Sequence, residues 1–164
     1  MKPWVERPRE EAHLLNPAFC SVTIAAACAG YSEPHSESLP FVLSFLVLPV
    51  VLHKSTRESL PRTSRTSIPA WLQEHPEARI GFHERLMALR PFTREALRYG
   101  LASDWFCVGD LGGIRCVAPD ASLTGAIRIG GEVSDCVSRA RFLGKWFAIA
   151  ASTETTLALW GIRP

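Results

Sequence analysis

From Leu39 to Leu52 the chain carries no charge, and it then passes without a linker into HKSTRESLPRTSRTS, where Lys54, Arg57, Arg62 and Arg65 stand against the single acid Glu58. No other stretch constrains the fold so tightly. An uncharged run of this kind has to be buried, because left in water it would form a large apolar patch. It is also too short for a membrane-spanning helix, which takes about 20 apolar residues, and it contains Pro40 and Pro49. The run therefore belongs to a protein core. The segment after it is wet, cationic and rich in hydroxyls, which suits an anionic or acidic counterpart.

The remaining composition permits such a core. A chain of 164 residues suits one domain, and 47% hydrophobic with 21% charged residues is ordinary globular composition. The net charge of +2 is too small to make the whole molecule a polyanion binder, so a nucleic-acid role would rest on a local patch. The first residues, MKPWVERPREEAHLL, place charges where an export signal needs an apolar core. They read as a flexible lead-in over 1–15, with the cytoplasm as the expected compartment and no membrane partner. Cys20, Cys28, Cys107, Cys116 and Cys136 form no CxxC pair. In a cytosolic chain such cysteines are expected as buried thiols, with neither a metal site nor stable disulfides.

Asn16-Pro17 is a helix start, since Asn caps well and Pro suits the first helical position. The helix AFCSVTIAAACAG is expected to stop at Gly30, with a polar loop from Tyr31 to Ser38. A second helix runs from Pro40 through FVLSFLVL and breaks near Leu46–Leu48, where Pro49 removes a backbone bond. A strand competes for this run, which is short and rich in valine. Residues 53–66 read as a loop between short helical turns. Ser67 and Pro69 open a short helix that ends at His75-Pro76. Beyond it, Ile80, Phe82, Leu86, Leu89, Phe92, Leu97 and Leu101 recur near helical spacing, and Pro91 divides them into two helices with Thr93 as N-cap.

In WFCVGDLGGIRCV two β-prone runs, 105–108 and 114–117, flank a glycine-rich turn, which signals a hairpin. Residues 118–138 read as a long wing or loop with one further strand in GAIRIGG, and helix resumes at Arg139. The expected fold is mainly α with a small β-hairpin (α+β). It has a winged-helix-like tri-helical core plus wing over about 67–118, a variable loop 118–138, and extra N- and C-terminal helices. All of this forms a single domain, 16–164.

Catalytic signatures are missing. Neither GDLGGIR nor RIGGEV has the lysine of a phosphate-binding loop, His83-Glu84 is not followed by a second histidine at metalloprotease spacing, and no GxSxG occurs. The five histidines are scattered. A Cys20–His53 dyad would be spatial rather than sequential, and nothing in the sequence favours it. No enzyme activity and no cofactor are expected. The candidates for binding a partner or an anion are His53, Lys54, Thr56, Arg57, Arg62 and Arg65, because arginine forks and hydroxyls suit carboxylate and phosphate. The bland alternative is a solvated loop whose arginines pair with nearby glutamates. On the expected third helix, Arg94 and Arg98 are placed either to reach a DNA groove or to form an outer face. Glu77, Glu84 and Glu95 weaken the first of these.

Several separated motifs resemble one family: NPAF at 16–19, the stretch 39–101 with its core LPxVLHKxTRExLPxxxRTS, and ARFLGKWFA with LALWGIRP near the end. They look like the middle component of three-component ABC systems, related to the middle subunit of Lamassu-type anti-phage defence. The resemblance covers most of the chain apart from the lead-in and loop 118–138. It implies a non-catalytic adaptor that links an SMC/Rad50-like ABC ATPase to a variable effector, with any DNA contact made through the complex. Leu52, His53, Lys54, Thr56, Arg57, Glu58, Leu60, Pro61, Arg62 and Arg65 carry over as contact or structural residues. The alternative is a stand-alone winged-helix DNA-binding protein.

Overall fold

Asn16 opens the first helix as its sequence requires, its side-chain oxygen accepting the Ala18 N–H at 2.9 Å with Pro17 at the first helical position. The computed structural model describes residues 15–128 and 130–162, so the lead-in expected over 1–15 lies, except for Leu15, outside the described residues. Helix α1 (Pro17–His35) does not stop at Gly30. It crosses α7 (Gly131–Ala148) so closely that a Cβ on Gly30 would strike the Arg141 carbonyl, and one on Gly144 would strike the Ala27 carbonyl. Gly30 is there for close approach of two backbones rather than for termination. Ala25, Ala26, Ala27 and Ala140 are buried beside it, and α1 forms the centre of the molecule. The expected loop 31–38 is accordingly helical as far as His35, and Ser36 ends the helix with a left-handed φ of 56°.

The uncharged run begins with a bridge. Leu39 exchanges backbone hydrogen bonds of 2.9 and 2.7 Å with Ile114, and α2 (Phe41–Val51) follows. It is a helix and not a strand, and it passes Pro49 without interruption. The break expected at Leu46–Leu48 is avoided because the helix ends two residues after Pro49, so the missing N–H frees only the Phe45 carbonyl. Leu43, Ser44 and Leu46 through Val51 are buried, whereas Phe41 and Val42 in the first turn are about half exposed.

Next come α3 (Lys54–Ser59), an irregular loop, α4 (Ile68–Glu74) and a 3₁₀ turn over Pro76–Arg79. The two helices expected on either side of Pro91 are one continuous helix, α5 (Phe82–Ala102). Pro91 and Met87, whose carbonyl the proline frees, are both on the exposed side of α5, where solvent can satisfy the carbonyl. Thr93 is not an N-cap. It is buried within α5 and donates its hydroxyl to the Leu89 carbonyl at 3.1 Å. The tri-helical order that a winged helix needs is therefore absent from this stretch.

The hairpin forms as its sequence signals, β1 (Phe106–Val108) antiparallel to β2 (Ile114–Cys116), with Phe106 opposite Cys116 and Val108 opposite Ile114. Its turn carries Leu111 at a left-handed φ of 55°, fully exposed. The loop and strand expected over 118–138 are instead α6 (Asp120–Arg128) and the first turns of α7, which starts well before Arg139. Leu123 and Val137 are buried and anchor this pair, and Gly130 and Gly131, with φ of 79° and 63°, turn the chain between them. The last described helix is α8 (Thr153–Leu159). Trp71, Trp146, Trp160 and Phe82 form an aromatic cluster with ring centroids 4.5 to 6.0 Å apart along the chain of contacts, joining α4, α5, α7 and the end of α8. The protein is thus mainly helical with one small hairpin. Among the described residues no helix is long and apolar enough to cross a membrane.

Candidate functional site

The motif after the uncharged run is first of all a joint between two helices. Val51 is the last residue of α2, and its carbonyl has no partner within the helix. Arg57 supplies one from below, its Nη1 donating to Val51 O at 2.8 Å, with the Cys136 thiol at 3.5 Å on the same oxygen. A cation at a helix C-terminus also meets the negative end of the helix dipole. His53 does the corresponding task for α3, where Nδ1 accepts the Thr56 N–H at 3.4 Å and lies 2.7 Å from the Thr56 hydroxyl. In a neutral ring, an Nδ1 that accepts leaves the proton on Nε2. Burial, with the nearby Arg85 guanidinium second, lowers the His53 pKa and keeps the ring neutral.

Of the residues singled out from sequence, the structure brings His53, Lys54, Thr56 and Arg57 together here. Thr56 is 2% and Arg57 4% exposed, so these two belong to the interior. Arg57 Nη2 reaches Glu132 Oε1 at 3.4 Å, while its buried Nε has no hydrogen-bond partner among the described residues. Lys54 is exposed and sits 3.9 Å from both Glu58 and Glu132, a weak pairing in water.

Beside the joint lies an open apolar groove of about 820 Å³, bounded by Phe19 and Val22 of α1, Leu89 of α5, Ala126 of α6 and Val133 of α7. His53, Arg57, Arg85 and Glu132 are its charged or titratable polar members. Arg85 donates to the carbonyls of Ala78 at 3.0 Å and Ile80 at 2.8 Å, and its buried Nε has no partner among the described residues. Cys136 also lines the groove, but burial raises its pKa and its thiol is committed to Val51 O. Cys20 is wholly buried with its thiol pushed up to about 12, so it offers no thiolate to His53. Cys28 is a third buried thiol, whereas Cys107 is exposed. Among the described residues no group of three or more His, Cys, Asp or Glu side chains could hold a metal ion.

The second half of the motif leaves the interior. Its backbone is pinned by three side chains: Trp71 Nε1 donates to Ser59 O at 2.8 Å, Arg139 Nη1 to Pro61 O at 3.2 Å, and Trp146 Nε1 to Thr66 O at 2.7 Å. Leu60 and Ile68 are buried at either end of this loop. Arg62 and Arg65 are exposed on it, and no ion pair joins either to another described residue. Arg94 and Arg98 lie apart from both features, on the exposed face of α5. Sequence reasoning missed Arg85, Glu132 and Arg139 as members of the site. Nothing local marks Glu132 and Arg139, because each acts on a segment distant along the chain, and Glu132 lies at the start of a helix that the glycines of 125–131 disguise as loop; Arg85 bonds carbonyls only five and seven positions away, but the fold brings it to the groove.

Fold and site together define a small, mainly helical protein with an apolar groove and a hydrogen-bonded basic loop flanking one helix joint. The family model of the ABC-three component (ABC-3C) system Middle Component 3 matches residues 4–164, and the chain belongs to that family. It is a middle component of a three-component system, and such membership implies partner components. No curated protein and no solved structure matches the chain.

Proposed function

We propose that this chain is a non-catalytic assembly subunit that joins an SMC/Rad50-like ABC ATPase to an effector, in a cytoplasmic system of the anti-phage defence type related to Lamassu. The observation that carries this reading is the loop 60–67. Hydrogen bonds to the carbonyls of Pro61 and Thr66, and to that of Ser59 just before the loop, fix its course, yet Arg62 and Arg65 project from it without an ion pair to any described residue. A fixed backbone that presents two uncommitted guanidinium forks loses little entropy on binding a carboxylate-bearing partner.

The test is co-purification with an SMC/Rad50-like ABC ATPase and an effector from the same three-component system. Arg62→Glu combined with Arg65→Glu is expected to abolish recovery of a partner while the far-ultraviolet circular dichroism and melting temperature of the isolated chain stay unchanged. Wild-type chain that recovers neither component, but binds duplex DNA alone with an affinity falling steeply as salt rises, would overturn the adaptor reading.

A further inference from the structure

We infer that the groove beside the helix joint is a second docking site, and that its occupant is an apolar polypeptide segment of a partner component carrying one aspartate or glutamate. The inference rests on the assembly reading above and adds the chemistry of one partner. The groove walls are apolar, formed by Phe19, Val22, Leu89, Ala126 and Val133, and at about 820 Å³ the space takes several side chains. Such a surface is usually covered. Its polar members set the sign of what covers it. Arg57 Nε and Arg85 Nε are buried and without partners among the described residues, and His53 has its acceptor nitrogen engaged by Thr56, which leaves Nε2–H as a donor. Three donors are thus left over. The acceptor among the groove's charged side chains, Glu132, is already held by Arg57 and Lys54. Buried donors without partners are costly, and a carboxylate accepts several at once.

The joint explains why such donors exist in an apolar place. Arg57 is buried there to close the end of α2, and Arg85 to bind the carbonyls of Ala78 and Ile80. Each structural task uses only part of a five-donor guanidinium. The pinned loop and the groove lie on opposite halves of one motif, so a segment in the groove and an acidic patch on Arg62 and Arg65 could be engaged together.

The test uses the complex assembled from the chain and the components encoded with it. A photo-activated phenylalanine derivative at position 133 is expected to cross-link to a peptide of one of those components that is apolar and contains Asp or Glu. In a second arm, Val133→Glu is expected to weaken that component's binding about tenfold more than Val133→Lys, since only the former repels a carboxylate. Circular dichroism and melting curves of both variants check that the fold persists. Cross-links that map to residues 1–14 or to a second copy of this chain would overturn the inference, as would equal loss in the two variants or no cross-link from an intact complex. If the wild-type chain assembles with no component at all, the assembly reading falls and the inference with it.

Discussion

Arg57 and Arg65 stand eight positions apart in one basic motif, and a charge profile treats them alike. In the structure they have opposite fates. Arg57 is 4% exposed, bonded to the end of α2 and to Glu132. Arg65 is exposed on a loop whose backbone is held by other residues. The first spends its donors on completing the fold, and the second leaves its donors facing solvent. A run of cations can therefore be half committed to the fold and half exposed. The division follows from which carbonyls lack partners within the chain, and net charge does not reveal it.

That contrast can be broken most directly at Arg57 itself. Arg57→Leu removes the donor that closes α2 and leaves the Val51 carbonyl with a weak thiol partner. The expected cost is about 2–3 kcal/mol, the usual range for a buried acceptor losing its hydrogen bond with some repacking. Arg65→Leu should change stability by less than about 0.5 kcal/mol, as exposed substitutions do. Urea unfolding of both variants measures the difference, and equal effects would erase the distinction. A smaller effect is expected at Trp146, which holds the loop from beneath. Trp146→Phe keeps most of the buried ring but leaves the Thr66 carbonyl without its donor. It should cost about 1–2 kcal/mol and speed amide exchange in 62–67 while exchange in α3 stays as it was.

The smallest effect concerns protons. The folded chain lowers the His53 pKa below its ordinary 6.5, so below that pH the unfolded chain binds more protons than the folded one. Stability at His53 is therefore full above pH 6.5 and declines as pH falls toward the lower folded value. His53→Asn keeps an N-cap acceptor, now an amide oxygen, without a titrating ring. The melting temperature of this variant should drop less than that of the wild type between pH 7 and pH 5. A parallel drop in both would remove His53 from the joint's electrostatics.

Much of the fold was legible in the sequence where the signal is local. Asn16-Pro17, Ser67-Pro69, His75-Pro76 and the glycine turn between two β-prone runs all mark boundaries that the structure keeps, because a cap or a turn is decided by a few neighbouring residues. The errors cluster at prolines and glycines. Pro49 and Pro91 lie inside helices because one sits near a helix end and the other on an exposed face, where the freed carbonyl costs little. Gly30 and Gly144 serve the crossing of α1 and α7, and Gly130-Gly131 turns the chain between two helices rather than belonging to a long loop.

The sequence by itself determined that residues 39–52 would be largely interior and that 53–67 would be a polar, cationic surface-forming stretch, since burial of apolar area and hydration of charge act residue by residue. It also carried, through its spaced motifs, the resemblance to the middle components of ABC-three component systems. Only the tertiary structure decided that Thr56 and Arg57 turn inward, that Arg62 and Arg65 turn outward, and that Arg85 and Glu132 join the motif from elsewhere in the chain. The reason is physical: an orphaned carbonyl at the end of a buried helix has to be satisfied by whatever donor the packed chain brings within 3 Å, and that proximity is fixed by the fold as a whole.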